Sequence, residues 1–306
     1  MNKKDKIVVC SRSFSRNKIL RDELNKKYFN VKYNDTGGQL EGKELVNFLN
    51  GSNKAIIGLE YIDYKILNYL PELKLISKYG VGLDKINFED LKKRNIKFNH
   101  TPGVNKRSVS ELVISNVISL LRKIPQASLS LQKGHFKQFT GSQLTGKTFG
   151  IIGCGFIGKD LAEVLKPFNC KILVNDIKDY TDFYKKNNII PSSLDNLLSE
   201  SDIVSLHVPL DKITTNIISK NKLQKMKNDS VIINLARGGL IDEVYLKHCL
   251  KTGKLGGAIL DVYNSEPKPD NELINLPNVI ATPHLGGSSN EAILNMGRAA
   301  IAGLKD

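Results

Sequence analysis

Residues 148–158 read Thr148-Phe149-Gly150-Ile151-Ile152-Gly153-Cys154-Gly155-Phe156-Ile157-Gly158, an apolar run of strand length followed by glycines spaced G-x-G-x-x-G. The stretch Ile157–Lys166 then repeats apolar residues at helical spacing. Few architectures accept such a sequence. A buried strand must turn tightly into a helix that packs back on it, which opens a parallel strand–helix–strand unit. Gly153 allows the tight turn, Gly155 lets a pyrophosphate approach the backbone, and Gly158 lets helix and strand come close. The positive end of the helix completes an anion site. Asp176 follows the next apolar run, Ile172–Asn175, where a carboxylate would bond adenosine ribose hydroxyls and repel a phosphate in their place. Glycine is common enough that the spacing alone means little. With strand, helix and acid in place, it reads as a dinucleotide site that prefers NAD to NADP.

The same alternation runs on both sides of this motif. Before it, strand-length runs at Ile7–Cys10, Val31–Tyr33, Lys54–Leu59, Leu75–Lys78 and Ile96–Asn99 are separated by helical stretches at Arg16–Lys26, Gln39–Leu49, Asp63–Leu70 and Asn87–Arg94. After it come strands at Lys171–Asn175, Ile203–Val208, Ser230–Asn234, Gly256–Val262 and Val279–Thr282. The helices among them are Leu194–Leu198, Asn221–Met226 and Glu243–Thr252, with a closing helix at Asn290–Leu304. Such alternation builds parallel sheets covered by helices on both faces. The expected α/β fold is two Rossmann-like, doubly wound parallel-sheet domains, which suits a chain of 306 residues. Between the two series lies Ser108–Lys123, too apolar for an ordinary surface helix, with Ser108 and Glu111 spaced as a capping box.

Composition closes off other classes. Hydrophobic residues make up 41% of the chain, enough for a sizeable core. No apolar run approaches the roughly 20 residues of a membrane span. Met1–Lys6 is followed only by the strand-length Ile7–Cys10, not by the longer apolar stretch of a signal peptide, so a cytoplasmic location is expected. Cys10, Cys154, Cys170 and Cys249 are scattered without a C-x-x-C pair, as for buried thiols in a reducing compartment, and no metal site is expected. The net charge is +14, but the lysines are spread along the chain beside asparagines, as at Lys185–Asn188 and Lys225–Asn228. A nucleic-acid binder would gather them in one patch with aromatics between. Neither nucleic acid nor membrane is expected as a partner, while the positive field suits an anionic substrate and cofactor.

Three more segments fall where loops leave the carboxyl ends of the second series of strands, where open α/β sheets bind ligands. They are Asn234-Leu235-Ala236-Arg237-Gly238-Gly239, Asp261-Val262-Tyr263-Asn264-Ser265-Glu266-Pro267 and Thr282-Pro283-His284-Leu285-Gly286-Gly287. With the glycine motif and Gly80-Val81-Gly82-Leu83-Asp84, this ordered set resembles the D-isomer-specific 2-hydroxyacid dehydrogenases, most of all their phosphoglycerate dehydrogenase branch. The resemblance runs from about Ile7 onward, and no single segment would carry it.

The resemblance implies hydride transfer between NAD and carbon 2 of a small D-2-hydroxy or 2-oxo acid, with Arg237, Glu266 and His284 as the catalytic set. His284 would give the carbonyl oxygen its proton and take it back in the oxidative direction. Glu266 would hold the imidazole and stabilise its protonated form. Arg237 would bind the substrate carboxylate with its fork of donors. Around the cofactor the family implies Gly153, Gly155, Phe156, Ile157, Gly158, Asp176, His207, Pro209, Thr214, Leu235, Ala236, Arg237, Asp261, His284 and Gly286. Around the substrate it implies Lys78, Tyr79, Gly80, Val81 and Gly82 with Arg237 and His284. His100, His135 and His248 carry no such implication and read as structural. The family also implies a substrate domain of residues 1–103 and 282–306, an NAD-binding domain of 104–281, and an active-site cleft between them. The Ser108–Lys123 helix would lie in a homodimer interface.

The acid itself stays open. Many members of the phosphoglycerate dehydrogenase branch carry a phosphate-binding arginine at the end of the strand corresponding to Ala55–Leu59; Gly58 stands there, while Lys78 keeps a second basic position. D-3-phosphoglycerate, glycerate or hydroxypyruvate, glyoxylate and a sugar-derived hydroxy acid all remain, with phosphite a remote alternative. The sequence runs out soon after the closing helix, so control by serine through an appended regulatory domain is not expected. Relatives of this fold also act as transcriptional corepressors, which keeps an NAD-sensing binding protein as the reading from another class.

Overall fold

The computed structural model describes residues 2–305. The chain forms two compact units: the segment up to Asn105 together with that from Gly287, and the continuous stretch Lys106–Gly286.

In the first unit, β1 (Asn2–Val9), β2 (Tyr28–Tyr33), β3 (Lys54–Ile57), β4 (Leu75–Lys78) and β5 (Lys97–Asn99) form a parallel sheet ordered β2-β1-β3-β4-β5. Helices α1 (Arg12–Arg16), α2 (Lys18–Asn25), α3 (Gly42–Leu49), α4 (Tyr64–Leu67) and α5 (Phe88–Lys93) connect the strands. One face of the sheet buries Leu45, Leu49, Leu67 and Leu91 from α3, α4 and α5. The other buries Phe14, Leu20 and Leu24 with side chains of the closing helix. The helix expected over Arg16–Lys26 is broken in two. Asn17 ends α1 and caps α2, its side chain accepting the Leu20 N–H at 3.1 Å, a better use of this residue than a helix interior.

The second unit opens with α6 (Lys106–Leu121) and α7 (Ile124–Gln132). Its parallel sheet contains β6 (Thr148–Ile152), β7 (Lys171–Asn175), β8 (Ile189–Pro191), β9 (Ile203–Leu206), β10 (Val231–Asn234), β11 (Gly257–Leu260) and β12 (Val279–Ala281), ordered β12-β11-β10-β9-β6-β7-β8. The order reverses between β6 and β9, the switch point at which such sheets bind ligands. Helices α8 (Phe156–Val164), α9 (Thr181–Asn187), α10 (Leu194–Glu200), α11 (Lys220–Lys225), α12 (Glu243–Lys251) and α13 (Asn271–Ile274) complete it, and α14 (Asn290–Ala302) belongs to the first unit. Val109, Val113, Val117 and Leu120 of α6 pack with Leu161 and Ala162 of α8 on one face of the sheet. Leu197, Leu223 and Leu246 pack on the other.

The structure differs from the sequence reading in local detail. Ser108 does not cap its helix: α6 begins at Lys106, and the Ser108 hydroxyl donates to the Gly286 carbonyl at 2.8 Å. The second unit runs to Gly286, and hydrogen bonds to Asp261 hold Thr282, Leu285 and Gly286 within it. The short edge strand β8 and the helices α7, α9 and α13 lie where no element was expected. Pro191 ends β8 and Pro125 sits in the first turn of α7, so in those two the residue that disguised the element is one its position tolerates.

Candidate active site

At the end of β6, Gly153 takes φ +96°, and a Cβ there would stand 2.8 Å from the His207 carbonyl carbon. A Cβ on Gly158 would stand 2.1 Å from the Gly153 oxygen, so those two glycines are demanded by packing within the chain. Gly155 is different. Nothing among the described residues lies within 4 Å of the Cβ it lacks, and it caps the amino end of α8. The open space fits a pyrophosphate laid against the backbone. Beside it, Asp176 accepts the N–H of Cys154 at 2.5 Å and of Lys178 at 2.7 Å, which locks the glycine loop to the end of β7 and leaves lone pairs for ribose hydroxyls. Burial pushes the Cys154 thiol up to about 11, so it stays protonated within the loop. Phe156 and Ile157 open α8, the first of them exposed.

After β9, the Nε2 of His207 meets the Ser205 hydroxyl at 2.9 Å, while its Nδ1 is buried with no partner among the described residues. Burial lowers its pKa to about 4, so the ring is neutral at working pH and no general acid. A neutral ring with an unpartnered nitrogen suits contact with a carboxamide. Further along this loop the Thr214 hydroxyl donates to the Pro209 carbonyl at 2.6 Å, giving the segment a fixed shape.

The catalytic candidates follow three neighbouring strands, β10, β11 and β12. After β10, Asn234 donates to the Arg237 carbonyl at 2.8 Å and accepts the Ala236 N–H at 3.1 Å, shaping the turn that carries buried Leu235, half-buried Ala236 and Arg237. After β11, Glu266 accepts the Tyr263 N–H on Oε1 at 3.1 Å. Its Oε2 lies 3.1 Å from Nδ1 of His284, which follows β12. The acid–imidazole pair is thus formed, with side chains about half exposed. His284 has φ +57°, a left-handed conformation that costs a histidine roughly 1 kcal/mol. Its backbone N–H is shared between the carbonyls of Asp261 (3.0 Å) and Thr282 (3.1 Å).

Asp261, expected at the cofactor, is fully buried. Its carboxylate accepts the Thr282 hydroxyl and the Leu285 N–H on one oxygen, each at 2.6 Å, and the Gly286 N–H on the other at 2.8 Å. It braces the histidine loop. Tyr263, Asn264 and Glu243 also shape the site and were not singled out from the sequence. Tyr263 and Asn264 lie inside a motif segment, but nothing in their type marks them.

The substrate candidates of the first unit cluster at the end of β4. Gly80 takes φ +98°, and the half-buried Gly80, Val81 and Gly82 present their loop beside it. Tyr79 is buried, packs edge-on to Phe14, and donates its hydroxyl to Ser13 at 3.1 Å. Lys78 is buried too, its ammonium donating to the carbonyls of Gly58 (2.5 Å) and Tyr79 (3.0 Å). A Cβ on Gly58 would stand 3.0 Å from that of Ser11, so this strand end has little room for a side chain. Among the described residues no group of three or more potential metal ligands occurs, and no helix is long and apolar enough to cross a membrane.

Comparison with known proteins decides the family. The sequence model for the D-isomer specific 2-hydroxyacid dehydrogenase NAD binding domain matches residues 114–286. The chain belongs to that family. It is 38% identical over 244 residues to a D-3-phosphoglycerate dehydrogenase of Archaeoglobus fulgidus, covering 77% of this chain but 45% of the relative's own length. It is 37% identical over 269 residues to a hydroxypyruvate reductase of Thermotoga maritima, covering 86% of this chain and 87% of that protein. Its structure matches D-lactate dehydrogenase from Aquifex aeolicus, complexed with NAD and lactic acid, with a TM-score of 0.85 and 26% identity over 97% of this chain and 93% of the other. The two parallel-sheet α/β units are the architecture that this match covers.

Proposed function

We propose that the protein reversibly reduces a small 2-oxo acid to its D-2-hydroxy acid with NADH. The observation that carries this reading is the His284–Glu266 pair, set beside the Arg237 turn on three adjacent strand ends of a sheet whose first turn has room for a dinucleotide. NADH, when bound, supplies the hydride. Nε2 of His284 donates the proton to the C2 oxygen, and Glu266 on Nδ1 fixes the ring and balances its charge. Arg237 holds the carboxylate and polarises the carbonyl. The backbone N–H groups of Gly80–Gly82 are available to a carboxylate as well. In this reading the second unit binds NAD, with Asp176 on the ribose disfavouring NADP, and the first unit recognises substrate.

For the acid, the relatives supply D-3-phosphoglycerate, hydroxypyruvate and glyoxylate as candidates. The Lys78 ammonium held on two carbonyls and the crowding at Gly58 favour an unphosphorylated acid. We further propose a homodimer built on α6 and α7, since Ile124, Leu129, Leu131 and Phe136 are all exposed along one short segment. Free cysteines at 10, 154, 170 and 249 support a cytoplasmic location. The NAD-sensing alternative is tested by the same assay: NADH binding with no turnover of any acid supports it, and turnover removes it.

A further inference from the structure

We infer that the loop after β11 positions the two halves of the reacting site through separate side chains, Tyr263 setting the His284–Glu266 pair and Asn264 setting the Arg237 turn. This division presupposes the roles proposed above for Arg237, Glu266 and His284.

Tyr263 bonds Glu266 directly and reaches His284 through a shared carbonyl. Its N–H occupies Oε1 of Glu266, which leaves Oε2 for His284. Its buried hydroxyl lies 2.9 Å from the carbonyls of Leu260 and of Thr282. The Thr282 carbonyl is one of the two that hold the His284 N–H, so phenol and histidine backbone converge on one oxygen. A left-handed histidine persists only while its surroundings over-determine it. Without the hydroxyl, the 282–284 turn loses one of its ties and the ring can drift from Glu266. Burial pushes the phenol up to about 12, so it remains a donor throughout the working range.

Asn264 acts on the other half. Its Oδ1 accepts the Gly239 N–H at 2.6 Å, and its own N–H is held by Glu243 at 2.8 Å. The two loops touch directly: a Cβ on Gly238 would stand 1.9 Å from the Tyr263 oxygen. The Arg237 turn is therefore held by Asn234, at the Ala236 N–H and the Arg237 carbonyl, and beyond it by Asn264 at the Gly239 N–H. Losing the Asn264 amide frees that second tether and leaves the histidine turn intact.

The test compares Tyr263→Phe with Asn264→Ala, checking that both melt near wild type. A net hydrogen bond is worth about a five- to tenfold effect. Tyr263→Phe is expected to lower kcat about that much with little change in KM, and Asn264→Ala to raise KM about that much with little change in kcat. Two readouts need no turnover. The low-field proton resonance of His284 Nδ1–H, assigned by its loss in Glu266→Ala, should weaken or shift in Tyr263→Phe alone. Oxalate binding to the NADH complex, by calorimetry, should weaken in Asn264→Ala alone. If both variants move the same quantities together, or neither moves any, the division is wrong. Absence of turnover in the wild type would instead count against the proposed reaction, while the resonance and the oxalate titration still decide the division.

Discussion

His284, a residue poorly suited to a left-handed backbone, is held in one by the carbonyls of Asp261 and Thr282, at the position proposed for the proton donor. Its type and motif were readable in the sequence. Its strain was not, because neither the φ of a residue nor the distant groups that enforce it leave a local pattern. His207 shows the opposite case. The sequence placed it near the cofactor, but only its burial reveals a neutral ring. Because its pKa falls from 6.5 to about 4 on folding, the unfolded chain takes up a proton between those values that the folded chain does not. Stability is therefore lost as pH drops through that window, by about 2 kcal/mol from this group at pH 5. Urea unfolding at pH 7.5 and pH 5 should show a smaller acid loss in His207→Gln than in wild type. Equal losses would mean the ring is not desolvated as described.

Among the elements, the turn from β6 to α8 was the most readable, since strand, glycines, helix and acid are contiguous or nearly so. Its glycines nevertheless divide in a way the motif does not show. Gly155→Ala adds a methyl into open space, so the melting temperature should hold while NADH binding weakens about tenfold or more. Gly158→Ala drives a methyl into the Gly153 carbonyl, so unfolding should come first, by 1–3 kcal/mol as an order-of-magnitude estimate. Melting curves with NADH titrations separate the two; a destabilised Gly155→Ala would contradict the assignment of that space to the cofactor. The elements that escaped the sequence, β8, α7, α9, α13 and the α1–α2 break, are short or begin and end on residues that ordinarily signal loops. Asn17 caps α2, Asp270 caps α13 and β8 lies at a sheet edge, features that periodicity does not measure.

At the scale of the whole molecule, the alternation of strands and helices made two parallel sheets predictable, whereas nothing in the sequence showed that the Asp261 carboxylate accepts from Thr282, Leu285 and Gly286. The exposed apolar segment along α7 predicts association. Light scattering should report a dimer for the wild type, and Leu129→Asp with Leu131→Asp should shift it to monomer; a monomeric wild type would contradict the interface.

The proposed reaction is hydride transfer to a 2-oxo acid with His284 as its proton donor. NADH oxidation should therefore be followed with 3-phosphohydroxypyruvate, hydroxypyruvate, glyoxylate and pyruvate, comparing wild type with His284→Ala. Turnover of at least one acid, cut by roughly 10²–10⁴-fold in the variant while NADH still binds, is the predicted result. Turnover that survives the loss of His284, or NADH binding without turnover of any acid, would contradict it.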